Sequence, residues 1–571
     1  MKRLSSTHPG DRRHGGIGPP AGMLALVALC AAAQPAAAGQ VVYVDGTIRP
    51  ARSTTYDSRS RTCSDGKDVA YRSLQDAAKD AAAGWTVILR AGTYRQSLKP
   101  ARSGRPGKPI TFRGHQGEKA TITGPSLSPA IDLSKRSHLV IEGLEIADVR
   151  RWLYAVGSHH NTLRRNHFRK AVDPGGSAKT GLFFQQATCN RIVDNVIEDC
   201  TADSLSLVKS DRNVVEGNVF KRAGHTLWTI KGGSGNVLRN NRFHNALQKI
   251  GEVYDCHDVG FDHEFFQYNC TKRNLIEGNR FEYTPSSGRR SPYAGIQYAG
   301  QDGIIRRNVF HDTTGPELDL TLYGKEANFT TGNRIYNNTF LASQYAGVSL
   351  SGSKNFAFSD NVLKNNILSG SRFVAHDTRW AWYTKELNGK PVQLLTGRLD
   401  GFVFESNTVF GGKADEPYLI TVGSRSPVIS PQRPVSWLQK TYPRLFRGNR
   451  VSEPAFVDEK RRDLRLKANS PLIDAGAFLT ETLRAGSGTS MPVQDAGYFF
   501  DGGGIPGEKG DLVQLAGQQR TARVVRVDRK GKILVLDQAL TWKAGQGVSL
   551  RYSGARPDVG AHEFVPSKAR P

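Results

Sequence analysis

The sequence predicts an all-β fold, a single-stranded right-handed parallel β-helix, because one short pattern recurs along most of the chain. The pattern is Asn, any residue, an apolar residue, two further residues, Asn, any residue and an apolar residue, as in 161–168, 190–197 and 213–220. The shortest spacing between copies is 23 residues, and longer spacings are that unit plus insertions. The second asparagine of the pattern falls at Asn166, Asn195, Asn218, Asn241, Asn279, Asn308, Asn338, Asn366 and Asn407.

The physical properties of this repeat favour stacked coils. Each unit holds short apolar strands with a period of two residues, joined by polar turns. One such coil cannot bury its own apolar side, whereas stacked coils can, with strands paired at about 4.8 Å. An asparagine at a fixed turn position can form a ladder of side-chain amides along the stack. The L-x-x-L-x-L signature of leucine-rich repeats is absent.

The first 38 residues predict a signal peptide. A basic start is followed by the apolar run Met23–Ala33 and by the small residues Ala36–Ala38 before Gly39. The apolar run is too short for a transmembrane helix. Removing 1–38 takes away four of the 78 basic and one of the 52 acidic residues and leaves a net charge of +23. We therefore expect a secreted or periplasmic protein, without a transmembrane span, that meets polyanions.

The rest of the chain divides into two predicted parts. Residues 39–490 are assigned to the β-helix and its N-terminal cap, with one helix within Tyr71–Ala83. Residues 491–571 contain short alternating strands broken by glycine-rich turns, which predict a small antiparallel β module and a C-terminal cap near the end of the helix. The module can act as a cap or bind carbohydrate.

The two ends of the β-helix carry a resemblance to a known superfamily. The opening stretches 41–47 and 84–94 and the closing stretches 470–476 and 557–564 resemble exported members of the right-handed β-helix superfamily that contains pectate-lyase-like enzymes. The resemblance covers nearly all of 41–565 and is specific for the fold. Because the superfamily hosts many activities, no catalytic residue is carried over from it.

An outer sheet with sugar-binding side chains is predicted by counting back from each asparagine. Alternation along the strands directs Trp152, Tyr154 and Phe183 outward, followed by His225 and Lys231 on later coils. Aromatic faces stack on sugar rings, and cations neutralise acidic sugars. Trp152, Tyr154, Phe183 and Lys231 are therefore candidate substrate-binding residues.

A long insertion after Phe243 supplies candidate catalytic residues. It contributes His244, Lys249 and Tyr254, which the register places beside His225. Its later part holds Cys256 and Cys270, the best candidate disulfide pair, and Gly260–Glu264. That pentapeptide is similar to the Asp-Pro-His stretch of mannuronan epimerases but lacks the proline. Lys249, His225, His244 and Tyr254 are the predicted catalytic groups.

A pair of carboxylates is predicted further along the chain. Glu317 and Asp319 alternate with leucines and are expected to point outward on one face. Such a pair can bind substrate, serve as acid and base in glycoside hydrolysis or hold a cation. A calcium ion is possible as a cofactor, although no metal ligands are assigned.

These features predict a protein that acts on or binds an acidic, uronic-acid polysaccharide. The favoured reaction is β-elimination at C5, in which a base takes the weakly acidic C5 proton while a cation neutralises the neighbouring carboxylate. C5 epimerisation, hydrolysis and a non-catalytic envelope or surface β-helix that binds glycan or partners are the alternatives. We expect a monomer that does not bind nucleic acid.

Overall fold

A computed structural model describes residues 39–175, 179–254, 271–284, 294–321, 330–343, 346–352, 359–371, 373–377, 401–411 and 434–566. The predicted signal peptide, Cys256, Cys270 and the Gly260–Glu264 stretch lie outside these residues. Two helices are present in the described chain, Leu74–Asp80 within the predicted segment and Val435–Thr441, which was not predicted. Neither is long and apolar enough to cross a membrane.

Three long sheets, almost entirely parallel, form the body of the molecule, as the repeat predicts. Sheet 1 has sixteen strands: Arg52–Tyr56, Asp68–Tyr71, Val41–Val44, Thr86–Leu89, Ile110–Gly114, Leu139–Glu142, Thr162–Arg164, Arg191–Val193, Val214–Glu216, Val237–Arg239, Leu275–Glu277, Ile304–Arg306, Arg334–Tyr336, Val362–Lys364, Val403–Glu405 and Phe446–Arg447.

Sheet 2 has thirteen strands: Gly92–Tyr94, Ala120–Gly124, Glu145–Val149, His167–Ala171, Val196–Cys200, Val219–Ala223, Arg242–Ala246, Arg280–Glu282, Val309–His311, Thr339–Leu341, Ile367–Ser369, Thr408–Phe410 and Arg450–Val451. Sheet 3 has ten strands: Ile131–Asp132, Leu153–Val156, Leu182–Gln185, Leu205–Val208, Thr226–Lys231, Lys249–Tyr254, Ala294–Tyr298, Leu318–Thr321, Val348–Gly352 and Phe373–Asp377.

Each coil passes from sheet 1 to sheet 2 to sheet 3 before it returns to sheet 1 one rung further on. Two residues always join a sheet 1 strand to the following sheet 2 strand from Glu142 onward, as Arg165 and Asn166 do between Arg164 and His167. The long insertions instead lie in the segments that lead into and out of the strands of sheet 3. The interior is filled by like residues in register, including a stack of Phe243, Phe281 and Phe310 whose ring centroids lie 5.1 and 4.4 Å apart.

Two buried asparagine ladders run along the stack. In the first, the backbone N–H of Asn195 donates to the side-chain oxygen of Asn218 at 2.9 Å, and the Asn195 amide donates to the same oxygen at 2.9 Å. The pattern continues from Asn166 to Asn407 and on to Asn449, where Gln439 of the second helix caps the last rung with a 2.7 Å bond. A parallel ladder uses the first asparagine of the repeats from Asn161 to Asn361 and is interrupted at Gly303, which has no side chain to accept from Asn274.

A left-handed residue precedes each rung and lets the chain turn there. The φ angle is +53° at Arg165, +55° at Asp194 and +67° at Gly217, just before Asn166, Asn195 and Asn218. Only a few of these positions hold glycine, although side chains rarely adopt this conformation. The ladder bonds stabilise the turn against that local cost.

A six-stranded antiparallel module packs on the outer face of sheet 1. Its strands are Thr480–Glu481, Gly547–Leu550, Leu512–Leu515, Thr521–Asp528, Ile533–Trp542 and Gly486–Pro492, and a separate two-stranded hairpin comprises Phe456–Asp458 and Asp463–Leu466. The strand Gly486–Pro492 crosses the predicted boundary at residue 490, so this sheet starts earlier in the chain than expected.

The module lies along the side of the β-helix, whereas the sequence placed it near the end. Its apolar residues form one cluster with the outward side chains of sheet 1, including Val214, Leu275 and Ile304. Arg306 is buried at this contact and binds Asp511 through both terminal nitrogens at 2.7 and 2.6 Å. Because buried charges are retained where they are paired and hydrogen-bonded, this contact fixes the module to the sheet.

The ladder makes a direct prediction for Asn218. Replacing Asn218 with Ala removes the acceptor for two donors of Asn195 and leaves these buried groups unsatisfied, at about 1–3 kcal/mol each. We expect Asn218→Ala to lower the free energy of unfolding by about 2–5 kcal/mol in urea titrations. Asn469→Ala, at an exposed loop position, is the control and should stay close to wild type. Equal stability of the two variants would contradict a structural role for the ladder.

The C-terminal cap makes a prediction about pH. Burial and the nearby Asp558 carboxylate raise the pKa of Glu563 to about 7. The folded protein therefore holds a proton that the unfolded chain releases near pH 4.5, and stability should fall as pH rises from about 4.5 to 7. Glu563→Gln removes this cost, so the variant should gain stability relative to wild type at pH 8 but not at pH 4. Thermal melts at both pH values test this, and a pH-independent difference would refute it.

Candidate functional site

Two rows of side chains cross the outer face of sheet 3. One row, in register, runs through Tyr154, Phe183, Ser206, Thr229, Glu252, Gln297, Asp319 and Ser349. A parallel row runs through Gln185, Val208, Lys231 and Tyr254. Residues that follow each other in a row are one strand apart, so groups far apart in sequence become neighbours.

His225 is held by a carboxylate that the sequence analysis did not identify. Its Nδ1 lies 2.5 Å from Oδ1 of Asp203, and its side chain remains 32% exposed. Asp203 is buried in the turn before Leu205 and also accepts the Thr226 hydroxyl at 3.0 Å. Because an ionised carboxylate can only accept, Nδ1 carries a proton and donates it to Asp203.

Glu252 joins His225 to Lys249. Its Oε1 lies 3.7 Å from Nε2 of His225 and in contact with the Lys249 ammonium, while its other oxygen accepts from Thr229 at 3.4 Å. The ammonium also donates to the Tyr254 hydroxyl at 3.2 Å. The Nζ of Lys231 lies 5.1 Å from the centroid of the Tyr254 ring. We call Asp203, His225, Glu252, Lys249, Tyr254 and Lys231 the central cluster.

The structure therefore brings together four of the residues predicted from sequence. A series of contacts on the outer face of sheet 3 links His225, Lys249, Tyr254 and Lys231, with Glu252 between His225 and Lys249. Lys249 is nevertheless only 4% exposed, so it is a buried ion-pair partner of Glu252. Asp203 could have been found from its position 22 residues before His225, one coil earlier, but the turn that holds it carries no repeat signal.

His244 does not join the central cluster. It lies on sheet 2, where it follows Lys221 and precedes Glu282 in register. Its Nε2 contacts the Thr284 hydroxyl at 2.9 Å, and burial lowers the pKa of the imidazole. The prediction that His244 converges with His225 is wrong, because the chain passes through His244 before it turns from sheet 2 to sheet 3.

The predicted aromatic surface is smaller than expected. Trp152 is fully buried in the core, with its ring centroid 5.9 Å from that of Phe168, so its predicted outward orientation is wrong. Tyr154 and Phe183 do lie in the outer row, with ring centroids 5.7 Å apart, but Phe183 is only 5% exposed. Tyr154 is half-buried, and its hydroxyl accepts from Arg151 at 2.6 Å.

Glu317 and Asp319 do not form an exposed carboxylate pair. Asp319 belongs to the outer row and accepts the Ser349 hydroxyl at 2.5 Å. Glu317 is fully buried beside Ser371, and burial raises the pKa of its carboxyl well above the usual range. The prediction that both face outward is wrong because Glu317 precedes the strand and does not follow its alternation.

Two family models match parts of the chain. Residues 115–290 match the family described as periplasmic copper-binding protein NosD, and residues 253–379 match the right-handed β-helix region. The fold is a right-handed β-helix. These matches support the predicted resemblance to pectate-lyase-like β-helix proteins.

Within the residues that the structure describes, no three His, Cys, Asp or Glu side chains come together as potential metal ligands.

Several curated proteins share part of the sequence. An uncharacterized protein of Bacillus subtilis (strain 168), YwoF, is 29% identical over 350 residues, which cover 55% of this chain and 69% of that protein. Pectate lyase PEL9 of Emericella nidulans is 24% identical over 39% of this chain and 56% of its own length. Lacto-N-biosidase of Bifidobacterium longum is 22% identical, with 48% of this chain matching only 17% of that protein.

Solved structures match the chain at low identity and low TM-score. The crystal structure of pectate lyase Pel9A covers 92% of this chain and 96% of its own, with 13% identity and a TM-score of 0.38. The periplasmic alginate epimerase AlgG covers 61% of this chain and 75% of its own, with 12% identity and a TM-score of 0.35.

Because Lys249 is buried, we expect its replacement to lower the stability of the fold. Removing its ammonium leaves the Glu252 carboxylate buried without a cation, which costs about 3–5 kcal/mol. We expect Lys249→Met to lower the free energy of unfolding by that amount, measured in urea. Lys99→Met is the matched control, because Lys99 pairs with Asp132 at 3.3 Å but is 63% exposed, and should cost about 1 kcal/mol or less. Similar losses in the two variants would contradict a buried ion pair.

Proposed function

We propose that this protein is an exported enzyme that cleaves a uronic-acid polysaccharide by β-elimination at C5. The observation that carries the proposal is the central cluster, in which a carboxylate-held histidine that is 32% exposed, a buried lysine–glutamate pair and a tyrosine hydroxyl make successive contacts on the outer face of sheet 3. The net charge of +26 on the whole chain favours an anionic polymer. The similarity to a pectate lyase over 39% of the chain adds support.

In the proposed reaction, Nε2 of His225 removes the C5 proton. The electrons of the C5–H bond form the C4–C5 double bond, the C4–O4 bond breaks, and the leaving oxygen takes a proton. Asp203 holds the imidazole at Nδ1 and stabilises its protonated form.

Tyr254 is the proposed proton donor to the leaving oxygen. Because Lys249 donates to the phenolic oxygen, the hydroxyl proton of Tyr254 can be directed to substrate. Lys231, beside the Tyr254 ring, is proposed to neutralise the sugar carboxylate and so favour loss of the C5 proton. Lys249 is a positioning residue in this scheme, whereas the sequence alone suggested that it is the base.

The experiment is incubation of the mature protein with polygalacturonate and with alginate, followed by the ultraviolet absorbance of the unsaturated product. We expect His225→Ala to lower turnover by about 10²–10⁴-fold, because general-base catalysis contributes that much. His115→Ala is the matched control, since His115 is 35% exposed and also faces a carboxylate, Glu118, at 3.2 Å. Its activity should equal wild type.

Other outcomes decide between the alternatives. Full activity of His225→Ala would overturn the assignment of the base. Inversion at C5 without chain cleavage would indicate an epimerase that uses the same proton abstraction. New reducing ends without absorbance would indicate hydrolysis. Binding without any product would indicate a non-catalytic glycan-binding β-helix.

A further inference from the structure

A cleft lies between the C-terminal module and the turns that connect sheet 3 to sheet 1. It has a volume of about 1050 Å³ and separates the turns before sheet 1 from the C-terminal module. Arg212 and Arg273 line the β-helix side, and Arg526, Arg529 and Lys530 line the module side. Ser234, which also lines it, follows Lys231 of the central cluster by three residues.

The cations of this cleft lack the partners that arginines have elsewhere on the same interface. Nearby, Arg239 binds Glu508 at 2.7 Å, and Arg334 binds Asp495 at 2.7 Å. Among the residues that the structure describes, Arg212, Arg526, Arg529 and Lys530 form no ion pair, and Arg273 has one only at the 4.0 Å limit, with Asp302.

The acidic residues of the cleft are occupied by the backbone. Asp211 accepts the N–H of Ser234 at 2.7 Å, Asp501 accepts that of Val527 at 2.9 Å, and Asp528 accepts that of Gly531 at 2.7 Å. The lining holds three carboxylates and five cations, and Asp302 beside Arg273 adds a fourth carboxylate, so the cleft keeps a net positive charge. Arg529 is partly buried, and desolvation together with Arg273 lowers the pKa of its guanidinium.

The spacing of the cations suits a polymer. Arg212, Gly235 and Arg273 occupy the same turn position on successive coils, so the backbones of the two arginines are about 9.6 Å apart at about 4.8 Å per coil. Gly235, with φ of +66°, carries no side chain, and the Arg212 side chain lies against it, with its Cγ 3.5 Å from where a Cβ would stand. Val525 is 49% exposed in the same cleft and offers an apolar contact beside the charges.

We infer that this cleft binds a polysaccharide chain carrying carboxylates, as a second site distinct from the central cluster. The guanidinium groups on both sides of the cleft can bind carboxylates of the polymer, and the apolar side chain of Val525 can contact a sugar face between them. The site would hold the polymer close to Lys231, at the C-terminal end of the strand Thr226–Lys231. The inference does not require catalysis, because binding at the cleft is measured separately from turnover.

The test uses the full mature chain and affinity electrophoresis in gels containing polygalacturonate or alginate. The cleft variant combines Arg212→Asn, Arg526→Gln and Lys530→Gln, which are side chains without ion pairs in the described structure. The control combines Arg59→Gln, Lys67→Gln and Arg95→Gln, which remove the same charge from exposed positions near the N-terminal end. Circular dichroism and melting temperature confirm that both variants fold.

We expect the cleft variant to lose roughly tenfold or more in affinity, since each exposed charge pair contributes about two- to fivefold. The control should retain wild-type affinity within about twofold, and neutral polysaccharide should bind neither protein. Equal affinity of the cleft variant and the control would overturn the inference. Tighter binding of single-stranded DNA than of either polyuronate, lost in the cleft variant, would also overturn it. A His225→Ala protein should bind normally, which separates this result from the proposed activity.

Discussion

The buried asparagine ladder is the interaction on which the rest of the structure depends. Each rung satisfies backbone and side-chain donors of the previous coil inside the protein, where an unpaired amide is costly. Because every rung repeats the same geometry, the strands of successive coils stay in register over three sheets. The aromatic and aliphatic stacks of the interior follow from that register, since like side chains are placed above one another.

The same register creates the central cluster. Asp203, His225 and Glu252 come from three successive coils, and no short segment of the sequence contains them all. Their contacts depend on strand pairing that brings Thr229 opposite Glu252 and Lys231 opposite Tyr254. A rigid sheet therefore holds the groups at defined distances, which is what proton transfer requires.

Much of the fold and part of the site can be predicted from sequence, for identifiable reasons. The nine spaced asparagines predict the coils, because a fixed polar residue in a buried turn has a specific structural role. The alternation of inward and outward side chains along a strand correctly predicts that Thr229, Lys231 and Asp319 belong to the outer face of sheet 3. It fails at Trp152 and Glu317, which stand just before their strands, where the chain is still turning from sheet 2. The burial of Lys249 and the partner Asp203 depend on tertiary contacts that a repeat pattern does not contain.

The constant two-residue link between sheets 1 and 2 has a consequence for how such a chain can change. Length variation is confined to the segments that lead into and out of the strands of sheet 3. These segments can be lengthened, shortened or exchanged without shifting any asparagine rung. A whole unit such as 195–217 can likewise be removed or duplicated, and Asn218 would still meet an identical neighbour. The molecule thus separates a regular, repeating support from a face of variable length, and new specificities can arise on that face at little risk to folding.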